Sequence, residues 1–133
     1  MSEIQSNPAP APAPGADGKL PVDFNWLNEC TDDDNDALKT ILNLYFTRTP
    51  PLIEQLAQAI AVSKPDDMRR LAHACVGSSG TCGMTKLTPL FKALEQKGTA
   101  GSIDGAAETL AEIRREFTAA HECVDAHFKN LSD

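Results

Sequence analysis

His73 lies in a segment, PDDMRRLAHACVGSSGTC from Pro65 to Cys82, that reads as one helix. At 3.6 residues per turn each position advances by about 100°. Met68, Leu71, Cys75, Ser78 and Cys82 then gather on the side opposite His73, spaced by threes and fours. That stripe is the expected core face, and it leaves His73 in solvent. Gly77 and Gly80 follow on the histidine's own side, one and two turns on. A glycine inside a helix costs about 1 kcal/mol relative to alanine. Two of them beside one exposed imidazole indicate clearance for something that must come close. Arg69 and Arg70, one turn before the histidine, are placed to reach an anion held on the ring. An exposed imidazole offers a nitrogen lone pair at physiological pH, so covalent transfer through His73 is the chemistry this helix could do. No second catalytic residue is evident beside it in the linear sequence, and the bland alternative is an ordinary surface histidine.

Other chemistries fit less well. His73-x-Cys75 and His121-x-Cys123 suggest metal ligands, but helical residues two apart point about 200° away from each other. Cys123 and His127 share a face, and two ligands do not make a structural zinc site, so no metal is expected. GSSGT, Gly77 to Thr81, has threonine where the hydrolase elbow requires its last glycine, and no strand precedes it. No phosphate-binding G-x-x-x-x-G-K-[ST] loop occurs, so neither an ATP site nor kinase activity is expected. Cys30, Cys75, Cys82 and Cys123 form no CxxC pair and read as small buried thiols.

The elements that must position this helix are also helical, with no sustained period-2 alternation. Asp23 is the expected cap of a short helix carrying Phe24, Leu27 and Cys30. The acidic run Asp32-Asp33-Asp34 suits the start of the next, whose apolar face is Leu38, Ile41, Leu42 and Tyr45. Pro50-Pro51 is expected to stop it, with Pro51 opening another helix that turns Leu52, Leu56, Ala59 and Ile60 inward. The His73 helix ends at Gly83. A further helix spans about Thr85 to Lys97, or starts nearer Thr88 because Pro89 is tolerated only in a first turn. It buries Leu87, Leu90, Phe91 and Leu94. Gly98 to Ser102 reads as a linker into a last helix carrying Leu110, Ile113, Phe117, Ala120, Val124, Phe128 and Leu131. Short loops between amphipathic helices imply antiparallel neighbours, an all-α up-down bundle.

Residues 1–18 differ from the rest: Asn7 to Gly15, NPAPAPAPG, holds no bulky apolar residue and reads as an extended tail or linker ahead of a helical unit over 19–133. The 133 residues, 41% apolar, suffice for one ordinary core. A net charge of −7 argues against nucleic acid and against an anionic membrane surface. With no apolar run of about 20 residues and no signal-like start, the expected location is the cytoplasm.

His73-Ala-Cys-Val-Gly77-Ser78-Ser79-Gly-Thr-Cys-Gly83 resembles the H-x-x-K-G-S-[SA]-x-x-x-G signature of histidine-containing phosphotransfer (HPt) domains. The likeness extends over about residues 20–131, through a short first helix, two helices before the His helix, the segment Leu90-Phe-Lys-Ala-Leu94-Glu95 and a long closing helix. It implies a four-helix bundle with a short extra N-terminal helix. It implies that His73 takes a phosphoryl group on Nε2 from a receiver-domain aspartyl phosphate and passes it to another receiver. By the same resemblance Glu95 hydrogen-bonds Nδ1 and orients the ring. Gly77 and Ser78 match the small positions where the receiver approaches, and Gly83 matches the turn glycine; the exposed side of the His helix, with Gly80 and the apolar Val76 by the ring, is the expected docking patch. The implied partners are response-regulator receivers, with a hybrid sensor histidine kinase as a further candidate. The domain would act as a monomer without a cofactor of its own, Mg²⁺ being held in the receiver. The family's lysine three residues after the histidine is Val76 here, which carries no charge. Either Arg69 or Arg70 supplies it, or phosphotransfer is slower or more partner-dependent; the alternative function is an adaptor that binds receivers without relaying phosphate.

Overall fold

In the computed structural model of the chain the described residues are 20–132, with side chains described to residue 130. The tail expected over 1–18 and the side chain of Leu131 lie outside them. The described residues form an all-α bundle of α1 (Phe24–Cys30), α2 (Asn35–Ala61), α3 (Pro65–Thr81), α4 (Leu87–Thr99) and α5 (Ala106–Ser132). The helices α2 to α5 pack in a ring, each against its neighbours in sequence, and α5 closes back on α2. None of the described helices is long and apolar enough to cross a membrane.

Local chemistry sets the ends. Asp23 Oδ1 accepts the Trp26 amide at 3.0 Å, capping α1. Asp32 and Asp33 turn the chain with φ of 51° and 62°, a left-handed conformation that aspartate tolerates. Asp34 then caps α2, accepting from the Asp36 and Ala37 amides at 3.0 and 3.2 Å. The acidic run is thereby consumed by a turn and a cap.

The proline pair does not end a helix. α2 runs 27 residues through Pro50 and Pro51, so the expected break is corrected to one continuous helix before α3. The reason lies in the phase of burial. Leu38, Leu42, Tyr45, Thr49, Ile53, Leu56 and Ala59 are buried in unbroken steps of three and four, while both proline rings stay exposed. A break would swing the second half of that stripe out of the core, and its burial offsets the lost backbone bonds.

Three other expectations change. Gly98 is not a linker residue: it is buried within α4, where an added Cβ would lie 2.6 Å from the Pro65 carbonyl oxygen and 2.7 Å from Arg69 Cβ. Glycine is what lets α4 approach α3 this closely. The buried stripe of α3 is Met68, Ala72, Cys75, Ser79 and Cys82. Ser78 is exposed and Leu71 half-buried, while Ser79 turns inward to the Tyr45 hydroxyl of α2. Of the four thiols, Cys75 and Cys82 are buried, Cys123 is half-buried and Cys30 is exposed.

Candidate functional site

Pro65 at the first position of α3 and Asp66 and Asp67 in its first turn start the helix as position-specific preferences require. Two turns on, His73 projects from the surface with 73% of its side chain exposed. Across the groove, Glu95 of α4 is more enclosed at 24%, and its Oε2 lies 2.6 Å from His73 Nδ1. An ionised carboxylate can only accept, so the shared proton belongs to Nδ1 and the Nε2 lone pair faces solvent. The antiparallel pairing of α3 and α4 brings together two residues 22 apart in sequence. Both are expected at the site, and the structure places them in contact.

The glycines of α3 stand apart from those at the turns. A Cβ added at Gly77 or Gly80 meets no atom within 4 Å, so nothing among the described residues requires glycine at either position. Gly83 is different. Its φ of +68° is left-handed, and a Cβ there would come 3.1 Å from the Asp23 carbonyl oxygen. That turn is tied down by Asp23 N–H donating to the Gly83 carbonyl at 2.8 Å and Thr85 N–H donating to the Pro21 carbonyl at 3.1 Å. The Trp26 indole N–H donates to the Thr81 carbonyl at 3.1 Å, holding α1 against the end of α3.

The arginines do not reach the ring. Arg69 donates from Nε and Nη2 to Asp66 Oδ1 at 3.0 and 2.9 Å, and Arg70 pairs with Asp67 and, at 3.8 Å, with Asp66. Helical side chains lean toward the N-terminus, so residues one turn before His73 lead away from it. Residues one turn after it lean over it, and there the chain has Val76, half-buried against the core, and Gly77. Ser78 is exposed, and its hydroxyl turns back to the Cys75 carbonyl at 3.4 Å.

Beneath the site is a polar contact that the sequence alone does not reveal. Ser79, fully buried, shares a 2.6 Å hydrogen bond with the Tyr45 hydroxyl of α2. Burial drives the Tyr45 phenol well above its ordinary range, against the opposing hydrogen bond from Ser79. Burial also pushes the Cys75 thiol up to about 11 and raises Cys82 and Cys123. The one signal in the sequence is the place of Tyr45 on the apolar face of α2, since the angular reading of α3 turns Ser78 inward and not Ser79. The late histidines serve packing: His127 stacks on Phe24 with ring centroids 3.8 Å apart, and His121 meets Phe46 edge-on at 4.8 Å. Among the described residues no three His, Cys, Asp or Glu side chains converge as metal ligands.

Comparison with known proteins adds to this geometry. The Hpt domain family matches residues 40–123, a span that holds both His73 and Glu95. The fold is similar to the crystal structure of histidine-containing phosphotransfer protein B from Pseudomonas aeruginosa PAO1. The TM-score is 0.76 at 19% identity, over 83% of this chain and 96% of that one. No curated protein matches the chain. The family match covers most of the bundle and the paired helices that join an exposed histidine to a carboxylate, and the chain belongs to the Hpt domain family, the phosphotransfer intermediates of phosphorelays.

Proposed function

We propose that His73 is the phospho-accepting residue, taking a phosphoryl group from the aspartyl phosphate of one receiver domain and handing it to another. The observation that carries this reading is the 2.6 Å contact between Glu95 Oε2 and His73 Nδ1 on an otherwise exposed ring. The Nε2 lone pair attacks phosphorus, the bond from phosphorus to the aspartyl oxygen breaks, and the carboxylate leaves with the electron pair. Nδ1 keeps its proton throughout, so the ring becomes positively charged as the N–P bond forms. Glu95 faces that charge directly and stabilises it. The reverse step, onto a second receiver, uses the same atoms.

The chain supplies a nucleophile and its orienting carboxylate. The receiver brings the Asp and the Mg²⁺, and no ATP site belongs to this domain. Gly77 and Gly80 leave the approach to the ring open, which supports the exposed side of α3 as the docking face. Ser78 lies on its border. A face that serves donor and acceptor in turn calls for transient association with response-regulator receivers, one of which could sit in a hybrid sensor kinase.

Val76 favours a second reading, an adaptor that binds receivers without relaying phosphate, because it leaves the position one turn after His73 without charge. The two readings separate in one experiment. Transfer from a pre-phosphorylated receiver is followed in the native chain and in His73→Gln. Label that is acid-labile, base-stable and absent from the variant supports the relay. Binding without label across several receivers supports the adaptor.

A further inference from the structure

The phosphoryl group that His73 would carry brings negative charge next to the Glu95 carboxylate, and the surrounding helix offers little to balance it. Arg69 and Arg70 are held by Asp66 and Asp67 on the turn leading away from the ring. Lys86 is buried and engaged within the fold. Lys97 reaches the other way, its Nζ 3.3 Å from where a Cβ of Gly105 would lie. One cation of the α3–α4 pair remains. Lys92 is exposed and has no ion-pair or hydrogen-bond partner among the described residues.

Its position follows from the pairing of the two helices. Glu95 meets His73 and Gly98 meets Pro65 and Arg69, so α4 runs antiparallel to α3 with those residues level. Lys92 is three residues before Glu95, about 4.5 Å along the axis and on a neighbouring strip of the same face. That brings it level with Val76, on the outer edge of the groove, while Phe91 and Leu94 beside it point into the core. A lysine there has a flexible four-carbon stem and a compact charge, suited to follow an anion that comes and goes. Gly77, where an added Cβ would meet no atom within 4 Å, adds no side chain beside the ring.

The geometry points to Lys92 as the residue that holds the phosphoryl oxygens on His73, supplying from α4 the charge that Val76 does not supply from α3. The inference rests on the relay reading. No bond to Lys92 forms or breaks: its ammonium keeps its protons and accompanies the phosphoryl group as Nε2 gains it and gives it up.

The test measures phosphorylation of His73 by two donors, a pre-phosphorylated receiver and phosphoramidate, which needs no docking surface. Lys92→Ala should slow labelling about tenfold with both donors and shorten the lifetime of the phosphohistidine. Lys92→Arg, and Lys92→Ala combined with Val76→Lys, should restore both. Lys97→Ala should behave like the native chain. Native-rate labelling and lifetime in Lys92→Ala, with His73 still taking label, would overturn the assignment and leave the relay intact. An effect with the receiver alone would make Lys92 a docking contact and equally overturn it. Absence of label from the native chain with either donor would instead remove the relay reading, and this inference with it.

Discussion

Replacing Gly77 or Gly80 by alanine should make the protein more stable, the opposite of what glycine replacement does elsewhere in the same bundle. Neither position has an atom within 4 Å of an added Cβ, so the substitution meets no clash. What remains is the difference in helix propensity, about 1 kcal/mol in favour of alanine. Each variant should therefore gain about 0.5–1 kcal/mol in urea unfolding followed by far-UV circular dichroism, and about 2–4 °C in Tm. Gly98→Ala is the counter-case. Its Cβ would lie 2.6 Å from the Pro65 carbonyl oxygen and 2.7 Å from Arg69 Cβ, so α3 and α4 must separate, at about 1–3 kcal/mol. Gly83→Ala, with φ of +68° and the Asp23 carbonyl 3.1 Å away, should lose about 1–2 kcal/mol. The bulkier Gly77→Leu should keep the fold and lose at least tenfold in the rate of transfer from a receiver, because its branches stand where the partner approaches the ring. Gly77→Ala or Gly80→Ala that unfolds more easily than the native chain would show that the glycines serve the fold and not the approach of a partner. Gly77→Leu transferring at the native rate would likewise deny Gly77 a part in that approach.

Glu95→Ala should slow phosphorylation of His73 about tenfold, the worth of about 1.4 kcal/mol for a charge-assisted hydrogen bond at a partly exposed site, and Glu95→Gln should lose less because an acceptor remains. Equal rates in all three chains would show that the contact does not orient the ring. In the buried pair, Tyr45→Phe and Ser79→Ala should each destabilise by about 1–2 kcal/mol, and the double variant should fall short of their sum by about 1 kcal/mol; strict additivity would deny the bond. Stability should decline as pH rises from about 9 toward 11. The buried Cys75 thiol, pushed up to about 11, stays protonated in the fold while the unfolded chain already ionises. This stabilisation is complete below the unfolded pKa and is lost through the folded one, by about 2–3 kcal/mol at most for Cys75. Cys82 and Tyr45 act in the same direction. Denaturant midpoints measured over that range in the native chain and in Cys75→Ala should converge in slope below pH 9 and separate above it.

Which helix carries the chemistry can be read from residue order, because 3.6-residue periodicity is a local property. The expected core side of that helix, the exposure of His73 and the two idle glycines follow from angular position alone. The helix starts at Asp23, Asp34 and Pro65 and the stop at Gly83 were legible for the same reason, since each side chain acts on amides within its own turn. The contact with Glu95 could be named only through the family's signature, as no local rule brings residues 22 apart to within 2.6 Å. Tertiary packing decided the places where a local preference met a stronger opposing force. Pro50-Pro51 favours a break, yet α2 continues because its second half shares one buried stripe with its first. Gly98 has the composition of a linker, yet close packing of α4 on α3 draws it into a helix. Packing against α2, where Ser79 meets the Tyr45 hydroxyl, turned Ser79 inward and Ser78 outward, a shift of one position that no single-helix wheel could resolve. Arg69 and Arg70 were within reach of the ring by spacing. They went to Asp66 and Asp67, because a charge three residues away on the leaning side of the helix is nearer than an anion one turn ahead.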